Sequence, residues 1–432
     1  ERLGLTAMVP GSWTESCSLE CIECHKTYPW DHPDSLCSCG DLLEVNSNLT
    51  HDVQALKSLW DQRRLSRSPA DRSGVFRYRE MVLPLPEEFV VTRGEGNTNL
   101  YSSSQLDQFC DLTRLVLKHE GENPTGSFKD RGMATATSIG KLIGAKAVVC
   151  ASTGNTSASM ASFAAIAGMK AVVLIPRGKI ALGKLSQSLA YGALTLEVEG
   201  DFDQALEMVR EASYEKGIYL MNSVNPYRIE GQKSILIEAL DDLRWELPDW
   251  IVLPGGNLGN TSAIGKALRE LYKAGFISKM PRVAVIQARG ANPFYQMIQA
   301  GSISLKPMAA NTMATAIQIG NPVSWKKAQR IIKETNGVVE ELSEEEIRGA
   351  KEAVDRAGIG AEPASCCTVG GIQKLVSKGV ISKNDSVLGI LTGNLLKDPQ
   401  ATLEIHSGDA SGGGIRQVSG KQELFQALDE IL

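Results

Sequence analysis

The segment Asn123-Pro124-Thr125-Gly126-Ser127-Phe128-Lys129-Asp130-Arg131-Gly132 has the composition of a loop that aims a lysine into a site. Pro124 and Gly126 enforce a tight, irregular path, and Asp130 is placed to cap the helix expected to follow. Lys129 then falls at a helix N-terminus, whose positive end disfavours an ammonium and favours a free amine. An amine with a lowered pKa is what Schiff-base chemistry needs. The plainer alternative is a solvated lysine beside a helix cap.

Three further groups suit anions. Gly255-Gly256-Asn257-Leu258-Gly259-Asn260 joins an expected strand to an expected helix, where backbone N–H groups and the helix dipole attract negative charge. It lacks the endings of a nucleotide P-loop or a dinucleotide fingerprint, so it fits a single phosphate. Its alternative is a tight turn with glycine at positive φ. Ser152-Thr153-Gly154-Asn155-Thr156 offers hydroxyls, an amide and helix N–H groups to a carboxylate or phosphate, or is ordinary capping. Arg228 has a fork suited to a phosphate dianion and sits ahead of an expected helix, where a surface salt bridge is the alternative.

The elements around these groups alternate strand and helix, the pattern of a parallel sheet. Residues 145–151 read as a buried strand and 156–167 as a small-residue helix stopped by Gly168; 169–175 resume as strand. Residues 250–253 form a second strand, leading through the glycine loop into a helix that ends on Gly275. Further strands are expected at 282–287, 337–340 and 387–391, and helices after Ser343 and at Glu362-Pro363. LSRSPADRSGVFRY, residues 65–78, has no clear period and reads as a connector.

Composition narrows the class. The chain has 432 residues, 43% hydrophobic and 22% charged, with a formal net charge of -5. That is an ordinary globular balance with no basic patch for nucleic acid and no apolar run of bilayer length. The expected compartment is the cytoplasm. Of nine cysteines, Cys110, Cys150, Cys366 and Cys367 lie in apolar segments and read as small buried hydrophobes. Cys21-x2-Cys24 and Cys37-x-Cys39 have nearly the spacing of a four-thiolate zinc knuckle, with Cys17, His25 and His32 as substitute ligands. Four thiolates leave no open position, so a bound zinc would be structural; a degenerate knuckle that folds without metal is the alternative.

HEGENPTGSFKDRGM, ASTGNTSAS, GKIALGKLSQS, MNSVNPYRIEGQK, GGNLGN, TAIQIGNPVSW, EPAS and LTGNLLKDP occur in an order that resembles the threonine synthases, over about residues 92–400. The short Cys-rich start ending in CGDLLEV is similar to that of some bacterial and archaeal members. The resemblance implies a tryptophan-synthase-β-like α/β fold of two lobes, each a mostly parallel sheet flanked by helices, with the Cys-rich head appended. The implied domains are a head at 1–50, a large cofactor domain at 51–118 and 225–410, a small domain at 119–224 and a tail at 411–432. It implies pyridoxal 5′-phosphate on Lys129, with Asn155 at the cofactor's 3′-oxygen, Gly255, Gly256, Asn257, Leu258 and Gly259 at its phosphate, and Thr392 facing the pyridine nitrogen. Ser152, Thr153 and Gly154 would hold the substrate carboxylate; Thr156, Ser223, Arg228 and Asn257 would hold its phosphate. The implied reaction turns O-phospho-L-homoserine and water into L-threonine and phosphate, in a homodimer.

Three positions depart from the family pattern. Asn394-Leu395 stands for the usual His-Gly, Asn99 for a common Pro, and Cys366-Cys367 for small alanines. The rival readings are a threonine or serine dehydratase, a phosphoserine-dependent cysteate synthase, or a protein that keeps the fold without catalysis. A dehydratase has no need of a second anion pocket.

Overall fold

Runs such as Trp250–Pro254 (WIVLP) and Arg282–Ala288 (RVAVIQA) are apolar on both faces, as strands covered by helices on both sides must be. The computed structural model describes residues 17–47, 52–152, 154–177, 182–199, 202–407 and 418–430. Thr153, and residues 411–417 and 431–432 of the expected tail, lie outside that set. Strands are numbered along the chain.

Three sheets organise it. The head is antiparallel, in the order β2 (Thr27–Pro29), β1 (Cys17–Cys21), β3 (Leu43–Ser47). A four-stranded parallel sheet has the order β8 (Leu194–Val198), β7 (Lys170–Pro176), β6 (Ala147–Ala151), β9 (Tyr219–Leu220). The six-stranded sheet runs β12 (Val338–Leu342), β11 (Arg282–Ala288), β10 (Trp250–Pro254), β13 (Ser386–Leu391), β5 (Arg114–His119), β4 (Leu100–Tyr101). All its pairs are parallel except β4 with β5. The head lacks a core of its own: Leu19, Leu43 and Val45 join the main apolar cluster.

The expected strands and helices are present within a few residues. Ser343 closes a capping box with Glu346, and Gly168 ends Asn155–Ala167 at φ 70°. Residues 65–78, read as a connector, are exposed at Leu65 and Arg67 but buried from Ser73 onward. Phe76 and Tyr78 are fully buried, and Tyr78 meets Trp60 edge-on at 5.0 Å. A four-residue helix followed by a 3-10 turn is too short to leave a readable period.

Two helices carry the site, and they touch backbone to backbone. A Cβ on Gly231, in Pro226–Asp242, would strike the Arg131 carbonyl oxygen of Lys129–Leu142. Beside this crossing Arg131 forks onto Glu120 at 2.6 and 2.7 Å and reaches Glu238 at 2.8 Å. Lys118 on β5 completes the group, 2.7 Å from Glu238, and all four side chains are buried. Burial would raise the Glu238 pKa, but Arg131 and then Lys118 hold it well below the usual carboxylate range.

Removing one partner strands a buried charge, so Arg131→Met should cost about 3–5 kcal/mol in urea unfolding. A carboxylate with a depressed pKa stabilises at neutral pH and loses that contribution as pH falls. Below about pH 4.3, the usual glutamate value, the parent's urea midpoint should therefore drop more steeply than that of Glu238→Gln.

Candidate active site

Ligands in open parallel sheets bind beyond the carboxyl ends of the strands. Here the ends of β6, β10 and β13 face one cavity of about 1360 Å³. Lys129, Ser152, Gly154, Asn155, Thr156, Ser223, Arg228, Gly256, Asn257, Leu258, Gly259 and Thr392 all line it. Gly255 does not, and Thr153 is not among the described residues.

Lys129 is the first residue of its helix, with Nζ 4.2 Å from the Phe128 ring centre. Burial, and then the Arg228 cation, lower its pKa to about 7, while Glu362 opposes the shift. It is not a solvated lysine. Asp130 does not cap the helix as expected. Its carboxylate instead accepts from Thr125 N at 2.7 Å and from the hydroxyls of Thr125 and Ser159 at 2.5 Å, bracing the loop that delivers Lys129.

The glycine loop also differs from expectation in how it turns. Its positive φ belongs to Leu258, at 64°, and to none of its glycines. Gly255 is required because a Cβ would lie 2.5 Å from Val285 Cγ1 on the neighbouring strand. Asn257 accepts from Val323 N at 2.8 Å and donates to Ser223 Oγ at 2.7 Å, so both residues are already braced. Next to it Asn260 is buried, and neither atom of its amide has a hydrogen-bond partner.

Arg228 sits inside the helix Pro226–Asp242, not ahead of it, and it is buried. One amino group donates to the Met221 carbonyl at 3.0 Å, Nε has no partner, and no ion pair to a carboxylate is present among the described residues. Burial lowers its pKa to about 10, so it remains a cation at neutral pH. The surface salt bridge is excluded. A buried cation without an anion is a site awaiting one.

Thr392 follows β13, with its hydroxyl 3.0 Å from Ser365 Oγ. No carboxylate is paired with it among the described residues. Asn155 donates its amide to both oxygens of Glu362 at 3.2 Å. Glu362 was legible only as a helix start before Pro363; its burial, which raises its pKa, and its place on the cavity wall are tertiary facts. Lys397, also lining the cavity, was missed for the same reason. Asn394 turns its side chain to the Gly121 carbonyl and the Leu396 N–H, and so acts as a loop brace. Asn99 donates to Glu122, which lines the cavity, while Asn99 itself does not. Cys366 and Cys367 are buried behind it, with Cys110 and Cys150 also buried.

At the head, the Sγ atoms of Cys21, Cys24, Cys37 and Cys39 lie within 4.8 Å of one another. Cys21 and Cys39 are 3.5 Å apart, as are Cys24 and Cys37. Zn–S bonds of about 2.3 Å in a tetrahedron place sulfurs about 3.8 Å apart, so the four fit such an ion. The substitute ligands are elsewhere: His25 pairs with Glu20 and His32 stacks on Tyr28, and Cys17 is not part of the cluster.

Comparison with known proteins agrees with this geometry. Residues 91–393 match the family described as "Pyridoxal-phosphate dependent enzyme". The threonine synthase of Methanocaldococcus jannaschii is 42% identical over 89% of this chain and 93% of its own length. That of Methanosarcina acetivorans is 44% identical over 90% and 94%. The chain belongs to the threonine synthase family. Its cofactor is therefore pyridoxal phosphate. The fold extends to a more distant structure, Escherichia coli threonine synthase, at a TM-score of 0.70 and 17% identity over 95% of this chain and 94% of that one. No helix among the described residues is long and apolar enough to cross a membrane.

The neutral amine attacks a carbonyl, and its fraction rises with pH through the pKa. In cofactor-free protein, reductive alkylation of Lys129 by a small aldehyde, followed by mass spectrometry, should be half-maximal near pH 7. A midpoint near 10.5, the ordinary lysine value, would contradict the site described here.

Proposed function

We propose that this protein converts O-phospho-L-homoserine and water into L-threonine and phosphate. One observation carries the substrate class: Arg228, a buried cation without a carboxylate, faces the same cavity as Lys129. A dehydratase acting on an unphosphorylated amino acid gains nothing from that charge.

The cavity fits the cofactor through a low-pKa lysine, an unpartnered Asn260 amide and a glycine loop at a helix N-terminus. In our reading Lys129 would hold the cofactor covalently, Asn155 its 3′-oxygen, and the loop Gly255–Gly259 its phosphate. Thr392 would offer the pyridine nitrogen a hydroxyl, which would not hold that nitrogen protonated. When bound, the cofactor supplies an electron sink that acidifies the substrate's Cα. Ser152, Thr153 and the backbone at Gly154 grip the substrate carboxylate. Thr156, Ser223, Arg228 and Asn257 hold its phosphate and orient the Cγ–O bond for departure. Lys129, close to neutral, takes the Cα proton and holds it for return. The cavity, lined from the strand ends of both large sheets, leaves room for the water that adds at Cβ.

The supporting features of the remaining readings are more general. A structural zinc on the four head cysteines is supported by their sulfur geometry. A small domain at 119–224 and a large one at 51–118 and 225–410 are supported by the separation of the four- and six-stranded sheets. The homodimer rests on family resemblance, and a cytoplasmic setting on composition.

O-phospho-L-homoserine and O-phospho-L-serine should be assayed side by side for phosphate and amino-acid products. Threonine from the first is expected, and its absence would defeat the proposal. Loss of one charge from a buried anion contact costs about 2 kcal/mol or more, so Arg228→Ala should lower kcat/KM about 30-fold or more. The visible absorbance of bound cofactor should persist in that variant and disappear in Lys129→Ala.

A further inference from the structure

The head packs directly behind the wall that bears Ser223, Arg228 and Asn257. Tyr227, the neighbour of Arg228, donates its hydroxyl to the Trp30 carbonyl of the head at 2.5 Å. Ile22, Leu36 and Leu42 of the head share an apolar cluster with Val224 and Val323. Val224 follows Ser223 in the chain, and Val323 N–H donates to Asn257 Oδ1 at 2.8 Å.

Two helices repeat the attachment. On Trp325–Glu334, Lys326 pairs with Glu23 at 3.0 Å and Asp41 at 2.5 Å, and Lys327 donates to the Leu43 carbonyl at 3.0 Å. Arg330 reaches Glu44 at 2.6 Å. That helix begins next to Ser324, whose N–H donates to the Asn257 carbonyl at 3.3 Å. On Gly259–Lys273, which opens with the glycine loop, Lys266 donates to the Val45 carbonyl at 2.5 Å and pairs with Glu230. The segments that bear Ser223, Arg228 and Asn257 are thus anchored on the head, whereas Thr156 stands on the helix Asn155–Ala167.

The cysteine cluster joins the two ends of the segment that makes several of these contacts. Trp30 and Leu36 lie on the excursion between Cys24 and Cys37, which is also held by the three residue pairs of β1 with β2, by a bridge of Leu36 with Leu42 and by the Tyr28 hydroxyl, which accepts from Ser38 N–H at 2.9 Å. A tetrahedral ion on four thiolates would pin both ends of that excursion, and with them the Trp30 carbonyl.

We propose that the four-thiolate centre braces the phosphate pocket from behind, so that metal occupancy at Cys21, Cys24, Cys37 and Cys39 sets phosphate affinity, with Tyr227 as the positioning residue. This rests on the two sites assigned above, the pocket around Arg228 and the metal on the four cysteines. Tyr227 touches neither substrate nor cofactor; it acts through the helix that carries Arg228.

The test measures binding of inorganic phosphate by calorimetry to the cofactor-loaded protein, with metal content determined on each sample. Loss of one hydrogen bond of about 1 kcal/mol corresponds to about a fivefold change. Tyr227→Phe should therefore retain its metal and bind phosphate about fivefold more weakly, with KM raised in parallel and kcat within about twofold. Protein stripped with a chelator should lose at least as much phosphate affinity and regain it when zinc is restored. If stripping unfolds the chain, as seen by circular dichroism, Cys24→Ser is compared instead at its measured metal content, and unchanged phosphate binding in metal-depleted Cys24→Ser overturns the proposal. Phosphate binding within about twofold of the parent in Tyr227→Phe, or in folded stripped protein, overturns the proposal, even if the melting temperature falls. Arg228→Lys serves as control: unchanged phosphate binding there would instead refute the pocket.

Discussion

A guanidinium cannot be buried without anions, and Arg131 is fully buried two residues after Lys129. The desolvation of that one cation obliges Glu120, at the end of β5, and Glu238, in the helix bearing Arg228, to come to it. Lys118 then balances the second carboxylate. The group joins β5 and two helices that cross without side chains between them. The Lys129 amine and the Arg228 fork are therefore set relative to each other by an ionic knot that no ligand touches. Hydrophobic burial alone would hold the helices together but would not fix their register.

The cavity itself is arranged against its own stability. Arg228 Nε and both polar atoms of the Asn260 amide are buried without partners, and Lys129 is held where its charged form is disfavoured. Each such group raises the free energy of the ligand-free protein by on the order of 1–3 kcal/mol. Cofactor and substrate phosphate relieve those costs, so affinity here derives partly from groups that stay dissatisfied in their absence. The surrounding knot and the apolar sheets supply the stability that tolerates them.

Local chemistry made much of this legible. Strand-to-helix turns at 152–156 and 255–260 read correctly because hydroxyls, amides and glycines at such turns have few uses. The place of Lys129 at the start of a helix was legible because the loop before it is unusual. What escaped depends on residues distant in sequence. Gly255 answers to Val285 across the sheet, so the turn's positive φ passes to Leu258, where no rule of composition would put it. Asp130 faces Ser159 and not its own helix end. Tyr78, at the buried end of residues 65–78, packs on an aromatic group that includes Trp60 and Phe276, far apart in the chain. Periodicity reports one element's face, and it is silent when an element is shorter than its own repeat.

Gly393 lies directly behind Thr392, with no room beside it: a Cβ there would sit against the carboxylate of Glu362. That carboxylate in turn receives the Asn155 amide. The three positions come from different parts of the chain, yet none can vary alone. A larger residue at 393 demands a smaller one at 362, which releases the Asn155 amide from the carboxylate it donates to. Substitutions at this corner should thus be inherited as sets, and a family tree of this enzyme would change there in jumps, one linked triplet for another.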